Sequence, residues 1–210
     1  MVQSGFYEET KGIYRLRVPF HQVYTSVFLV VSGQSLFLVD CATTDEDVDG
    51  VILPALRKMG YVPCDLSGIV LTHRHSDHAG GLSRLLTYVP DIEIITDLRE
   101  ITNEIRTYPL SGHTEDSIGV LDGRSHTLIS GDGLQGAGVG PYRCGLKNPA
   151  LYLETLEKLR GDEGVENVLF SHAYEPWNSD RAMGRERVLF CLNQCKECLK
   201  GTRYESYIGK

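Results

Sequence analysis

The sequence lacks the long hydrophobic runs and the excess of basic residues that mark two large classes of protein. Its longest apolar stretches are short, such as Val27–Val31, whereas a membrane-spanning helix needs about 18 or more apolar residues. Lys and Arg total 21 against 28 Asp and Glu, which gives a formal net charge of −7. A field of that sign repels nucleic acid. We therefore expect neither a membrane-spanning segment nor a nucleic-acid partner.

The chain also lacks low-complexity tracts, close internal repeats and linkers rich in proline, glycine or serine. Residues 1–12 contain no apolar stretch of the signal-peptide type, so we expect a cytoplasmic protein. Its six cysteines are expected to stay reduced there, without disulfides. With 210 residues, of which 41% are hydrophobic, the composition is that of an ordinary globular protein. We expect a single domain over residues 1–210.

Short apolar segments alternate with helical patterns along the chain. The predicted strands are residues 13–18, 24–31, 36–40, 66–71, 92–96, 118–121, 127–130 and 165–170. The predicted helices are residues 44–60, 148–161 and 179–200. A hairpin turn over Asp122–Ser125 separates two of the strands. This pattern predicts a mixed fold of the α/β (α+β) class.

Three of the seven histidines fall within the segment Thr72–Gly81, which reads T-H-R-H-S-D-H-A-G-G. Because a strand leads into it, His73 and His75 can point in the same direction at one metal ion. Asp77 and His78 follow where the chain bends into a helix, and they can face a second metal ion, as two-metal hydrolytic sites require. The segment therefore predicts a metal site at the end of a strand.

Three further candidate ligands stand directly after strands or tight turns. His113 occurs in S-G-H-T, Asp132 in S-G-D-G and His172 in L-F-S-H. A metal site is assembled from several chain segments at one end of a sheet, so these positions suit the remaining ligands. A set of surface or core histidines without a metal would leave this placement unexplained. His21 and His126 have no such setting and are expected to be surface or strand residues.

The ordered set of these residues, with Asp40 ahead of them, resembles the metallo-β-lactamase superfamily. The resemblance spans nearly the whole chain and includes the lead-in Gly68–Thr72 and the later segment Tyr152–Leu159. It implies a four-layer αββα sandwich. It also implies that one metal ion is held by His73, His75 and His113, a second by Asp77, His78 and His172, and that Asp132 bridges both.

Residue types refine the resemblance. True class B1 lactamases carry a cysteine where this chain has Asp132, so a β-lactamase is not expected. The set is similar to glyoxalase II and its single-domain relatives, but 210 residues leave no room for the extra helical domain with which glyoxalase II grips glutathione. Ser111 and Glu115 stand where that family usually has prolines. We expect a trimmed, open pocket rim, and we do not infer that this chain shares the substrate of glyoxalase II.

The implied chemistry is that of a metal-dependent hydrolase. A hydroxide bridging two divalent metal ions would attack a small ester-like, thioester, lactone or phosphoester substrate. Zinc is the favoured metal, with iron or manganese as alternatives. Asp77 would orient the hydroxide, and Asp40 would fix a ligand histidine by accepting its second N–H.

The expected substrate pocket is lined by Tyr142, Arg143 and Tyr174, which fall on loops at the metal face of the implied fold. Arg143, or alternatively Lys147, would recognise an anionic group of the substrate. Three cysteines lie on one face of the last predicted helix, and we interpret them as core packing. They are Cys191, Cys195 and Cys198. The roles of Cys41 and Cys144 are left open.

Other activities remain possible at this point. Persulfide dioxygenases resemble the same motif set and use one iron, whose ligands here would be His73, His113 and Asp132. One iron per chain with oxygen uptake would distinguish that oxidoreductase from a hydrolase. A nucleic-acid-processing hydrolase of the same superfamily is opposed by the acidic balance. A catalytically silent binding protein would lack a ligand, and all seven are present.

Overall fold

A computed structural model describes residues 5–134, 146–174 and 179–200. The chain divides into two compact units, Met1–Thr96 and Asp97–Lys210, and each contains one β-sheet. The two units are described in turn. No helix in the described ranges is both long and apolar enough to cross a membrane. The expectation of a single domain stays a prediction.

The first unit is built on a six-stranded sheet with its strands in chain order. They are β1 (Tyr7–Thr10), β2 (Ile13–Phe20), β3 (Val23–Ser32), β4 (Ser35–Val39), β5 (Gly68–Val70) and β6 (Ile94–Ile95). The first four pair antiparallel, and β5 and β6 continue the sheet in parallel. The predicted strands are confirmed here, although β5 and β6 are shorter than expected. β1 was not predicted because its sequence, YEET, is half acidic and forms only an edge strand.

The helices of the first unit follow β4 and β5. They are α1 (Asp45–Asp47), a π-helical turn (Val48–Ile52), α2 (Leu53–Lys58), a 3-10 turn (Pro63–Asp65), α3 (Ser76–Ala79) and α4 (Leu82–Tyr88). Thr44 caps α1, since its hydroxyl accepts the N–H of Asp47. The predicted helix over 44–60 is therefore confirmed, with a π-helical turn in its middle. Its apolar face, with Leu56, packs on Leu16 and Leu38 of the sheet in one buried cluster.

The second unit contains a five-stranded sheet in the order β11-β10-β9-β8-β7. The strands are β7 (Ile105–Pro109), β8 (Ile118–Asp122), β9 (Thr127–Ile129), β10 (Asn167–Tyr174) and β11 (Ser179–Ala182). Only β9 and β10 are parallel. Two helices, α5 (Pro149–Gly161) and α6 (Arg185–Lys200), complete the unit. The predicted hairpin of β8 and β9 is confirmed.

The last predicted helix is wrong at its beginning. Residues 179–182 form β11, which pairs antiparallel with β10, and Gly184 has a positive φ of 85° before α6 starts at Arg185. Cys191 and Cys195 of α6 are buried in a cluster with Leu156 of α5. Their interpretation as core packing is confirmed, whereas the side chain of Cys198 lies outside the described residues.

Candidate metal centre

In the first unit, the predicted site residues follow two neighbouring parallel strands. Val39 of β4 pairs with Val70 of β5, so the residues after both strands lie at the same edge of the sheet. Asp40 comes directly after β4, and His73 follows β5. The chain then turns into α3, where a Cβ on Gly80 would lie only 2.0 Å from the carbonyl oxygen of Thr43. This close approach leaves no room for a side chain at position 80.

Asp40 organises this half of the site. It is 1% exposed and adopts the left-handed backbone conformation, with φ of 63°. Its Oδ1 accepts the N–H of Thr72 at 2.8 Å, and its Oδ2 accepts the Thr72 hydroxyl at 2.9 Å. Nδ1 of His78 lies 2.7 Å from Oδ2. Because a carboxylate only accepts hydrogen bonds, Nδ1 of His78 carries the proton, and Nε2 has the lone pair that a metal requires.

Thr72 extends the same arrangement to His73. Its hydroxyl has one proton, which it donates to Asp40, so it accepts from Nδ1 of His73 at 3.1 Å. His73 therefore also has its proton on Nδ1, and its Nε2 has the lone pair that a metal requires. One buried carboxylate thus sets the tautomer of two histidines. The sequence analysis missed Thr72, for which the only signal is its position between an apolar strand and the first histidine.

The donor atoms in this unit have the spacing of ligands that share an ion. Nε2 of His73 lies 3.1 Å from Nδ1 of His75, and Nε2 of His78 lies 3.4 Å from Oδ2 of Asp77. Two donors that each lie about 2.1 Å from one zinc ion in tetrahedral geometry are about 3.4 Å apart. These residues therefore fit divalent metal ions without a change of rotamer.

In the second unit, Asp132 follows β9, and His172 lies on the neighbouring parallel strand β10. Ile129 of β9 pairs with Leu169 of β10, and the N–H of Ser171 donates to the Gly131 carbonyl at 3.4 Å. His113 is in the loop between β7 and β8. Since β8 is antiparallel to β9, that loop lies at the same edge of the sheet.

Asp132 lies between the two histidines of this unit. Its Oδ1 is 3.4 Å from Nε2 of His172, and its Oδ2 is 3.7 Å from Nε2 of His113. All three residues are buried, with exposed fractions of 3% to 6%. One oxygen of the carboxylate thus faces each imidazole.

Comparisons with known proteins agree with this arrangement. Residues 22–97 match the model of the metallo-β-lactamase superfamily. The solved structure of the metallo-β-lactamase FIM-1 from Pseudomonas aeruginosa aligns with 94% of this chain and 98% of its own, with a TM-score of 0.70 at 16% identity. A metallo-β-lactamase from Erythrobacter litoralis aligns with 91% of this chain and 96% of its own, with a TM-score of 0.66 at 19% identity. This is the metallo-β-lactamase fold.

The predicted resemblance and fold class are therefore confirmed, since the mixed α/β structure with two sheets matches the sandwich fold of the metallo-β-lactamases. Among relatives, a β-lactamase-like protein 2 homolog from Drosophila melanogaster is 30% identical over 64% of this chain and 54% of its own length. A hydroxyacylglutathione hydrolase from Hahella chejuensis is 32% identical over 58% of this chain and 53% of its own length. The chain thus spans about half the length of these relatives.

Most of the predicted pocket residues fall outside the part of the chain that the structure describes. Tyr142 and Arg143 lie outside the described residues, as does the side chain of Tyr174. Lys147 is exposed, and its backbone N–H donates to the Gly112 carbonyl at 3.1 Å. His126 is exposed, and its Nδ1 donates to the Gly164 carbonyl at 3.2 Å. Its interpretation as a surface histidine is confirmed.

Proposed function

We propose that this protein is a metal-dependent hydrolase whose His and Asp residues hold two divalent metal ions. The first ion would be bound by His73, His75 and His113, the second by Asp77, His78 and His172, and Asp132 would bind both. The carboxylate of Asp132, with one oxygen facing each of two buried histidines, is the observation that supports this proposal most directly.

The proposed donors are imidazole nitrogens and carboxylate oxygens, a set that suits zinc and also accommodates manganese or iron. When bound, such ions lower the pKa of a coordinated water to about 7 and polarise the substrate oxygen. Asp40 and Thr72 hold the imidazoles in the ligating tautomer. Asp77, whose side chain is 14% exposed, accepts a hydrogen bond from the attacking water and orients it.

The proposed substrate is a small ester-like molecule, and a thioester is the first to test. The matched relatives named hydroxyacylglutathione hydrolase support a thioester, with lactones and phosphoesters next in order. Tyr142, Arg143 and Tyr174 are proposed to line the pocket. A small-molecule substrate rather than nucleic acid agrees with the net charge of −7, and a cytoplasmic location stays a prediction.

The test is elemental analysis of the purified protein together with a panel of thioester, ester, lactone and phosphodiester substrates. We expect about two zinc or manganese ions per chain and hydrolysis of at least one substrate. In Asp132→Ala, loss of a ligand to both ions should lower metal content and reduce the rate by roughly 100-fold or more. His126→Asn is the matched control, because it removes an exposed histidine and keeps a residue that tolerates its φ of 51°.

An undiminished rate in metal-loaded Asp132→Ala would refute the proposal. One iron per chain, together with oxygen consumption when a persulfide is added, would show that the protein is an oxidoreductase and not a hydrolase. No metal after reconstitution would mean that the seven residues are not ligands. RNA binding that strengthens as salt is lowered would instead favour a nucleic-acid substrate.

A further inference from the structure

The loop that carries His113 is closed by its own polar side chains. The hydroxyl of Ser111 donates to the carbonyl of Glu115 at 2.8 Å. This bond joins the two positions at which glyoxalase II and its relatives usually have prolines. The N–H of Gly112 donates to the carbonyl of Thr114 at 2.9 Å, and the N–H of Thr114 donates to the Ser117 hydroxyl at 3.1 Å. Hydrogen bonds thus give this loop the rigidity that proline would otherwise supply.

Helix α5 and the two residues before it, Lys147 and Asn148, donate hydrogen bonds to the same loop. Three consecutive carbonyl oxygens of the loop accept hydrogen bonds from this segment. The hydroxyl of Thr155 donates to the carbonyl of Ser111 at 2.7 Å. The N–H of Asn148 donates to the carbonyl of Gly112 at 3.1 Å, and the N–H of Lys147 is shared between the carbonyls of Gly112, at 3.1 Å, and His113, at 3.3 Å.

Packing reinforces these bonds at Gly112. This residue has φ of 139°, and a Cβ there would lie 2.6 Å from Cβ and 2.7 Å from Cα of Tyr152. Tyr152 is itself fully buried within α5. The backbone just before His113 therefore rests directly on the helix, with no room for a side chain between them.

We propose that helix α5 positions the imidazole of His113 for metal binding and that Thr155 is the positioning residue whose hydroxyl holds the loop on the helix. The inference rests on the proposed function, because His113 is a ligand only if the site binds metal. Thr155 is buried, with 5% exposure, and its partner carbonyl is two residues from His113. Loss of this bond lets the loop move away from α5, so that Nε2 of His113 is no longer held 3.7 Å from Asp132.

The test is the zinc affinity of Thr155→Val, measured by competition with a chromogenic chelator. Valine keeps the shape of threonine and removes the donor. We expect the affinity to fall about tenfold or more, the range seen when the partner that orients a ligand is lost. Thr155→Ser restores the hydroxyl and should return the affinity to nearly the wild-type value. If Thr155→Val does not fold, Thr155→Ala replaces it.

Thr127→Val is the matched control. Thr127 is also a buried threonine of the second unit whose hydroxyl donates to a backbone carbonyl, that of Ser125 at 3.1 Å, at the start of β9. Its zinc affinity should equal that of the wild type. Equal affinity in Thr155→Val and the wild type, or an equal loss in Thr127→Val, would overturn the proposal.

Amide hydrogen exchange of the metal-free protein separates this proposal from the proposed function. In Thr155→Val, the amides of Gly112, Lys147 and Asn148 should exchange faster than in the wild type, and in Thr127→Val they should not. A wild-type protein that binds no zinc would refute the proposed function, and the exchange rates would still decide whether Thr155 holds the loop. Unchanged exchange in Thr155→Val would overturn the positioning role.

Discussion

At the level of single residues, Asp40 decides which ring nitrogen of His73 and of His78 carries the proton. Its two oxygens receive three hydrogen bonds, one of them from Nδ1 of His78. The left-handed backbone conformation of Asp40, with φ of 63°, turns its side chain back toward Thr72. Among residues with a side chain, Asp and Asn tolerate this conformation best.

We predict that Asp40→Asn lowers zinc affinity about 10- to 100-fold while the protein still folds. If the amide oxygen accepts the Thr72 N–H, the amide NH₂ faces Nδ1 of His78 and the Thr72 hydroxyl. Nδ1 of His78 and the Thr72 hydroxyl oxygen must then accept from this amide. The Thr72 hydroxyl in turn donates its proton to Nδ1 of His73. Both imidazoles therefore carry their proton on Nε2, the ligating atom.

Chelator competition and ¹⁵N spectra of the imidazoles measure these two effects. Asp97→Asn, which changes an exposed aspartate whose carboxylate accepts from Arg99 at 2.7 Å, should leave both unchanged. An Asp40→Asn protein in which His78 keeps its proton on Nδ1 would contradict the argument.

The proposed ligands could be selected from the sequence because these histidines and aspartates cluster or follow apolar strands. Their orienting partners could not. Thr155 and Ser111 are 44 residues apart in the chain, and only the fold brings the hydroxyl to that carbonyl. A threonine in a helix has no pattern that distinguishes this role from ordinary packing.

At the level of elements, the end of α5 is fixed by two side chains from other parts of the second unit. Arg185 donates to the carbonyls of Leu159 and Val165 at 3.2 and 2.9 Å and so satisfies the C-terminal end of the helix. The hydroxyl of Tyr108 donates to Oδ2 of Asp162 at 2.8 Å. The pKa of Tyr108 lies well above its ordinary value, mainly because the phenol is buried and secondly because it donates a hydrogen bond to Asp162.

We predict that Tyr108→Phe lowers the unfolding free energy by about 1 kcal/mol near pH 7, the value of one hydrogen bond. We also predict that the unfolding free energy of this variant decreases less steeply than that of the wild type as the pH rises into the alkaline range. The raised pKa of Tyr108 in the folded state means that its contribution is complete below about pH 10, the unfolded value. Above that pH the unfolded chain ionises first, so wild-type stability falls.

Urea unfolding between pH 7 and 12 measures this difference. Tyr88→Phe, which removes an exposed hydroxyl bonded to Asp49, is the control and should keep the wild-type alkaline slope. A Tyr108→Phe protein with that same slope would contradict the assignment.

The elements that the sequence predicted well are those with a strong internal pattern. β2, β3 and β4 are rich in apolar residues, and α5 begins at the Asn148 cap, whose side chain accepts the Leu151 N–H. β7 was missed because it is an edge strand that contains Arg106 and Pro109. β11, with the sequence SDRA, becomes a strand only through its pairing with β10.

At the level of the whole molecule, each unit has its own buried cluster. That of the first unit includes Leu29 and Ile52, and that of the second includes Leu128 and Leu192. These clusters contain none of the proposed ligands, so the metal ions are not needed to fill either core. Binding should nevertheless add stability, because a ligand that binds only the folded state shifts the folding equilibrium.

We therefore predict that removal of metal by a chelator lowers the Tm without unfolding the protein at room temperature. At a free zinc concentration 100 times the Kd, the stabilisation is about 2.7 kcal/mol, which corresponds to roughly 5–10 °C for a chain of this size. Asp132→Ala should show a much smaller difference between the zinc-loaded and chelated states, whereas His126→Asn should show the full difference. Calorimetry of the zinc-loaded and chelated proteins measures this difference in Tm. An equal difference in Asp132→Ala and the wild type would mean that the stabilising zinc binds at a site other than the proposed one.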